Sequence, residues 1–339
     1  MTPSTLQRFL ENVLQHDLRM SLMIWGPPGI GKSSIVAEVA AARELDLVDV
    51  RLSQLAPTDL RGLPVPRDDD RSATWYAPDF LPREGQGVLF LDEVNMAAPT
   101  VQGIAQQLIL DRKVGSYTLP DGWYIWAAGN RKEDRAAVFD MPAPVANRFI
   151  HLDVAPDLES FRRYALREGL HEHIQAFLSF RPELLFNMSP DHPAWPSPRS
   201  WEMASWLYST GEPALDLATA IGEGPAGEFY AYLDIYDDLP DFEKILAEDE
   251  GTVVFPEEPS KRYAITTGLS VRAENAEQAL RGFVWMGANA PDEFTQLYAQ
   301  NVLPRLRQQG EMGRFIERAQ GNGTVERLQR AISAVVAHL

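Results

Sequence analysis

The sequence predicts an α/β fold, a parallel sheet covered by helices on both faces and followed by a mostly helical region. Three observations lead there. A full GxxxxGK[ST] pattern, Gly26-Pro27-Pro28-Gly29-Ile30-Gly31-Lys32-Ser33, directly follows the apolar run Leu22-Met23-Ile24-Trp25. Short apolar runs recur at 47–52, 87–91, 123–128 and 149–154, with helical patterns at 33–43 and 100–110 between them. Such alternation is the signature of a buried parallel sheet. Beyond about residue 156 the strand signals stop and helical spacing takes over.

In chain order, residues 4–14 place Leu6, Phe9, Leu10, Val13 and Leu14 on one helical face. Ser4 and Gln7 have capping-box spacing, so a short helix is expected ahead of the first strand. The run 22–25 is that strand, and 33–43 the helix after the glycine-rich turn. Alternation at 47–52 predicts a second strand and 87–91 a buried third, with 123–128 and 149–154 as the last two. Sheets of this kind bind ligands at the carboxyl ends of their strands.

Two stretches interrupt the alternation. Residues 57–82 are rich in Pro, Asp and Arg, and Trp75 and Tyr76 argue that this excursion is anchored. Residues 111–125 read as a hairpin, with 114–119 and 123–125 flanking a Pro120-Asp121-Gly122 turn. Further on, helical patterns cover 158–168, 171–180, 200–208 and 214–221. Trp195, Trp201, Trp206, Phe177 and Phe180 read as core there, with Trp201 also placed to fix Arg199. Glycines and a proline at 222–227 mark a boundary, and 273–285 and 325–338 are helical again. The expected division is 1–155, 156–225 and 226–339.

The chemistry lies at the strand ends. A strand that stops at glycines lets backbone N–H groups curl around phosphate oxygens, and the following helix points its positive end at the same anion. In this pattern Lys32 supplies a charge to the β/γ-phosphates and Ser33 a hydroxyl to Mg²⁺. Gly26, Pro27, Pro28, Gly29, Ile30, Gly31, Lys32, Ser33 and Ser34 are therefore the candidate binding loop for ATP and Mg²⁺. The run Val88-Leu89-Phe90-Leu91-Asp92-Glu93 ends in two carboxylates. Asp92 is expected beside Mg²⁺, and Glu93 where it polarises a water for in-line attack on the γ-phosphate. Asn130, after Ala127-Ala128-Gly129, is placed to orient that water. Arg148 and Arg199 are cations able to stabilise transition-state charge, or else members of structural ion pairs.

Composition limits the remaining classes. The chain has 339 residues, 45% hydrophobic and 23% charged, an ordinary globular composition. No run approaches the roughly 18 apolar residues that span a bilayer, and the start lacks the features of a signal peptide, so a cytoplasmic location is expected. Cysteine is absent, which removes disulfides and thiolate metal sites. A net charge of −17 argues against general nucleic-acid affinity. His171-Glu172-His173 has the wrong spacing for a helical metal site, since residues two apart point about 200° apart. Asp68-Asp69-Asp70 between Arg67 and Arg71 reads as a solvated loop tip, and Glu248-Asp249-Glu250 as surface or linker.

The ordered set Gly26 to Ser33, Asp92-Glu93, Asn130, Arg148 and Arg199 resembles the AAA+ ATPases. Ala56-Pro57-Thr58-Asp59-Leu60-Arg61-Gly62 and Asn147-Arg148-Phe149 resemble their MoxR branch, and the likeness covers about residues 4–225. It implies a five-stranded AAA+ P-loop core, a helical lid at 156–225 and a C-terminal extension. Lys32 and Ser33 would be Walker A, Asp92 and Glu93 Walker B, Asn130 sensor 1 and Arg199 sensor 2. Arg148, with Arg135 as the alternative, would be the arginine finger given to a neighbouring subunit. Residues 57–82 would be the helix-2 insert and 111–125 the pre-sensor hairpin. Such proteins form rings, usually hexamers, and many act as chaperone-like remodellers with a partner bearing a von Willebrand factor A (VWA) domain.

The leading expectation is thus an ATP-hydrolysing remodeller of a protein partner. A nucleotide-gated assembly switch with slow hydrolysis uses the same residues and differs in leaving the partner's structure unchanged. A DNA-directed, restriction-type NTPase is opposed by the acidic charge and the lack of a basic domain. A small-molecule kinase is disfavoured because Glu93, Asn130 and Arg148 suit attack by water.

Overall fold

The computed structural model describes residues 1–67, 72–131, 134, 139, 141, 146–189, 192–236, 239, 242–246 and 253–321. Two compact units result, Met1–Asp157 and Leu158–Leu339. Arg135, Asp68-Asp69-Asp70, Glu248-Asp249-Glu250 and the expected helix at 325–338 lie outside the described residues.

In the first unit α1 (Pro3–Gln15) leads into β1 (Leu22–Trp25), and α2 (Lys32–Ala42) follows the glycine-rich loop. Then come β2 (Asp46–Arg51), α3 (Pro57–Arg61) and the pair β3 (Leu63–Pro66) and β4 (Ala73–Tyr76). β5 (Gly87–Asp92), α4 (Pro99–Asp111), β6 (Lys113–Val114), β7 (Tyr117–Thr118), β8 (Trp123–Gly129) and β9 (Ile150–Asp153) complete it. Five strands form one parallel sheet in the order β2-β5-β8-β1-β9. β5 and β8 are covered on both faces, which is why they read as unbroken apolar runs. Alternate residues Met23, Leu89, Leu91, Ile125 and Ala127 join Val101, Ala105 and Leu108 of α4 in one core. α1 and α2 pack together on the opposite face.

Several local expectations are corrected. α1 is capped by Thr2, whose Oγ1 accepts from the Thr5 N–H at 3.2 Å, rather than by Ser4. Pro3 at the first helical position moves the start forward, because its missing N–H is an orphan there in any case. The hairpin of 111–125 turns at Gly115-Ser116, where Gly115 adopts φ +57°, and joins β6 to β7. Residues 123–125 belong to β8 instead. The central sheet claims them because Trp123, Tyr124 and Ile125 are all buried. The excursion 57–82 is ordered on its described residues: Leu63↔Tyr76 and Pro64↔Trp75 pair antiparallel.

The second unit is helical. Its core runs continuously from Phe161 to Ala319 and includes Phe177, Trp201, Phe229, Phe283 and Tyr298. Helices occupy Leu158–Glu168, Glu172–Phe180, Pro198–Ser209, Ala218–Ile221 and Glu223–Tyr236, and later Phe242–Leu246, Pro259–Arg272, Ala276–Asn289, Asp292–Gln308 and Met312–Gly321. The glycines and proline at 222–227 therefore begin a helix. Pro225 falls in its first turn, where no intrahelical N–H is needed. Trp206 is 61% exposed, contrary to its expected place in the core, while Trp201 is buried and donates Nε1–H to the Leu184 carbonyl at 2.8 Å. No described helix is long and apolar enough to cross a membrane.

Candidate functional site

The parallel order of the sheet brings the ends of β1, β5 and β8 side by side, and the candidate residues occupy those ends. The loop after β1 is closely built. A Cβ on Gly26 would stand 2.6 Å from the Val154 carbonyl oxygen and 2.8 Å from Ile30 Cδ1, so only glycine fits. Lys32 is 9% exposed at the start of α2, and its Nζ donates to the carbonyls of Gly26 at 2.8 Å and Pro27 at 3.0 Å. A third bond reaches Asn130 Oδ1 at 3.2 Å and ties the loop to the end of β8. Ser33 Oγ donates to Asp92 Oδ2 at 2.6 Å across 59 positions of chain. Ser34, next along α2, is exposed.

Asp92 accepts the Glu93 N–H at its other oxygen, 2.8 Å away. Glu93 adopts φ +57°, ψ +33°, a left-handed conformation uncommon outside glycine, which turns the chain sharply off the strand end. Its carboxylate accepts from Ser53 Oγ. Asp49 of β2 stands close by. Desolvation raises its pKa, and the Asp92 charge pushes the same way; Arg51 opposes them and Glu93 adds a smaller upward push. The strand end thus concentrates negative charge.

Two residues here escaped the sequence reading. Asn95 is 4% exposed, and its side-chain amide brackets the backbone of Asn130: Nδ2 donates to the Asn130 carbonyl at 2.6 Å, and Oδ1 accepts the Asn130 N–H at 3.3 Å. A Cβ on Gly129 would lie 2.5 Å from Asn95 Oδ1, so the glycine before Asn130 is what admits the clamp. Ser53 is the second, the partner of Glu93. The available signals were a polar residue three positions past Asp92 and a hydroxyl just beyond β2, neither of which is informative without the fold.

The two candidate arginines lie elsewhere in the sequence. Arg148 is exposed in the turn 146–149, ahead of the edge strand β9. Arg199 is exposed in the first turn of Pro198–Ser209, in the second unit. Arg131 is ion-paired with Asp134 at 3.3 Å. The His171-Glu172-His173 triplet has protein partners: Glu172 Oε2 pairs with Arg272 at 2.5 Å, and His173 Nδ1 lies 2.8 Å from the Tyr208 hydroxyl.

Residues 21–139 match the AAA domain family (dynein-related subfamily). Protein MoxR of Methylorubrum extorquens is 29% identical over 139 residues, a stretch covering 39% of this chain and 39% of MoxR. The aligned part is thus well under half of that relative. Among solved structures, NtrX from Brucella abortus in complex with ADP is 16% identical, covers 91% of this chain and 68% of its own, and superposes with a TM-score of 0.41. A RuvB variant from Thermotoga maritima is also 16% identical, with coverages of 78% and 79% and a TM-score of 0.41. On the family match, residues 21–139 are an AAA domain of the dynein-related subfamily, and the chain is similar to Protein MoxR over 139 residues.

Proposed function

We propose that the chain hydrolyses ATP in a Mg²⁺-dependent manner at the interfaces of a homo-oligomeric ring, a hexamer by family precedent. The energy released would remodel or activate a protein partner, with a VWA-domain protein as the expected one. The observation that carries the reading is the convergence of Lys32, Ser33, Asp92 and Asn130 through the 2.6 Å Ser33–Asp92 and 3.2 Å Lys32–Asn130 bonds.

Each residue then has a role set by its chemistry. The loop 26–34 and Lys32 hold the phosphates. Ser33 Oγ and Asp92 Oδ2 are hard oxygen donors, the kind Mg²⁺ takes beside phosphate oxygens and water, so the residues present fit that ion. Mg²⁺, when bound, supplies neutralising charge at the β- and γ-phosphates. Glu93 accepts a proton from the attacking water, and Asn130 orients that water from its clamped backbone. Arg148 would serve a neighbour's γ-phosphate as the arginine finger. Arg199 would act as sensor 2 from a lid at 156–225.

The moving parts would be the insert and the hairpin, which are joined. Gly115 packs under Trp75, Ser116 Oγ donates to the Trp75 carbonyl at 2.5 Å, and the Arg61 guanidinium lies 4.4 Å above the Trp75 ring. Leu63, Val65 and Tyr76 stay 61%, 43% and 63% exposed on β3 and β4, an apolar edge suited to gripping protein.

Two variants of the full chain test the reading. Glu93→Gln should retain ATP while turnover falls on the order of 10²-fold or more, whereas Lys32→Ala should lose nucleotide affinity. Unimpaired hydrolysis by both variants would sink the proposal. Because the Glu93→Gln protein stays loaded with ATP, it is also the form from which a bound partner can be co-purified and identified.

A further inference from the structure

The turn that presents Arg148 is held by a side-chain clasp anchored at the phosphate loop. Trp25, the last residue of β1, immediately precedes Gly26. Its indole Nε1 bonds His151 Nδ1 of β9 at 2.7 Å, with the two rings only 8° from parallel. The register pairs Met23 with His151 and Trp25 with Asp153, so Trp25 and His151 are diagonal neighbours on one face of the sheet. The other ring nitrogen, His151 Nε2, lies 2.7 Å from the Ala146 carbonyl.

Donor and acceptor rules fix the tautomer. An indole N–H can only donate, so Nδ1 must be the acceptor and the imidazole proton must sit on Nε2. Nε2–H then donates to Ala146. That same carbonyl accepts the Phe149 N–H at 3.2 Å, closing the turn Ala146-Asn147-Arg148-Phe149. Phe149 is buried in the core of the first unit and meets the His151 ring edge-on at 6.3 Å. Three contacts therefore set the position of a turn that carries an exposed arginine.

We infer that His151 is a positioning residue for Arg148, and that with Trp25 it mechanically links each subunit's own phosphate loop to the finger it offers its neighbour. The inference rests on the proposed role of Arg148. The path runs from Gly26 to Trp25, to His151, to the Ala146 carbonyl and into the turn. A shift at the loop when nucleotide enters would be felt at Arg148 without passing through Glu93 or Asn130. One site's occupancy would thereby bias hydrolysis at the next.

Substitutions that keep one bond at a time separate this from a general structural role. His151→Asn places an amide oxygen where Nδ1 was and keeps the Trp25 bond, but cannot reach Ala146. His151→Gln can reach Ala146 with its Nε2 and gives up the Trp25 bond. With the full chain, Mg²⁺ and ATP, His151→Asn should lower kcat about tenfold, as misplacing a catalytic group does, with KM within about twofold. His151→Gln should restore most of that loss, and Trp25→Phe in the His151 background should reduce cooperativity between sites while sparing affinity. In the double variant His151→Asn with Arg148→Ala, kcat should equal that of Arg148→Ala alone, since a misplaced finger and an absent one are the same defect. Additive losses would overturn the inference. If Arg148→Ala itself hydrolyses normally, the finger assignment fails. The clasp is then judged by amide exchange across 146–150, where faster exchange in His151→Asn but not in His151→Gln sustains it and equal exchange overturns it.

Discussion

Asn95 shows how much a single buried amide can determine. Both ends of its side chain are engaged by the backbone of Asn130, and its own carbonyl accepts the Phe139 N–H at 2.7 Å. Removing it takes this partner from a donor and an acceptor of the half-buried Asn130, at up to roughly 1–3 kcal/mol for each group. Asn95→Ala should therefore lower thermal stability and, by releasing Asn130 from its place beside Lys32, reduce ATP turnover about tenfold or more with little change in nucleotide affinity. Asn95→Asp is the sharper test. It keeps the acceptor for the Asn130 N–H but sets a carboxylate oxygen against the Asn130 carbonyl, so it should be no better than alanine in melting and turnover assays. An aspartate variant with normal activity would remove Asn95 from the site. The candidate residues themselves were legible because a phosphate loop, a strand-end carboxylate pair and an amide each leave a spaced, typed pattern. Asn95 and Ser53 were not, because their importance lies in what the fold brings against them.

At the level of elements, the sheet was legible and the turns were less so. β5 and β8 announce themselves because burial on both faces demands unbroken apolar runs. Turn positions depend on which of several glycines is taken, and Gly115 rather than Gly122 closes the hairpin. The helix Glu223–Tyr236 was hidden by Gly224, Pro225 and Gly227, punctuation that marks a helix start as readily as a linker. The helix Glu172–Phe180 carries a titrating cluster whose direction can be worked out. Burial, with smaller contributions from His171 and Arg272, pushes His173 down to about 4 from 6.5, and burial lowers His171 as well. Between those values the unfolded chain binds more protons than the folded one, so stability is full above about pH 6.5 and falls as pH drops toward 4. Glu172 acts in the opposite sense, because burial raises its pKa despite Arg272, and it offsets part of the loss at the acid end. Urea melts of the full chain monitored by a probe in the second unit should show stability declining from pH 7 to pH 4.5. His173→Phe should flatten that slope, and an unchanged slope would mean that other groups dominate.

For the whole molecule the question is whether the site is finished by a second copy. Arg148 is exposed beside the edge strand β9, a place from which a side chain can reach a neighbouring subunit in a ring with head-to-tail interfaces. Each chain also carries a net charge of −17, so like copies repel at low ionic strength, and assembly is best assayed near physiological salt, where the screening length is about 8 Å. On the proposed roles, Arg148→Ala subunits would retain Glu93 but offer no finger, and Glu93→Gln subunits would offer a finger but not activate water. Neither ring alone should turn over at an appreciable rate. In an equal random mixture about one interface in four joins an intact Glu93 to an intact Arg148, so roughly a quarter of wild-type turnover should return if each such interface works independently. If recovery fails although mass spectrometry shows mixed rings, Arg148 does not act across the interface. Recovery well above a quarter would instead mean that a few complete sites drive their neighbours, the behaviour expected if the Trp25–His151 clasp transmits loop occupancy from one subunit to the next.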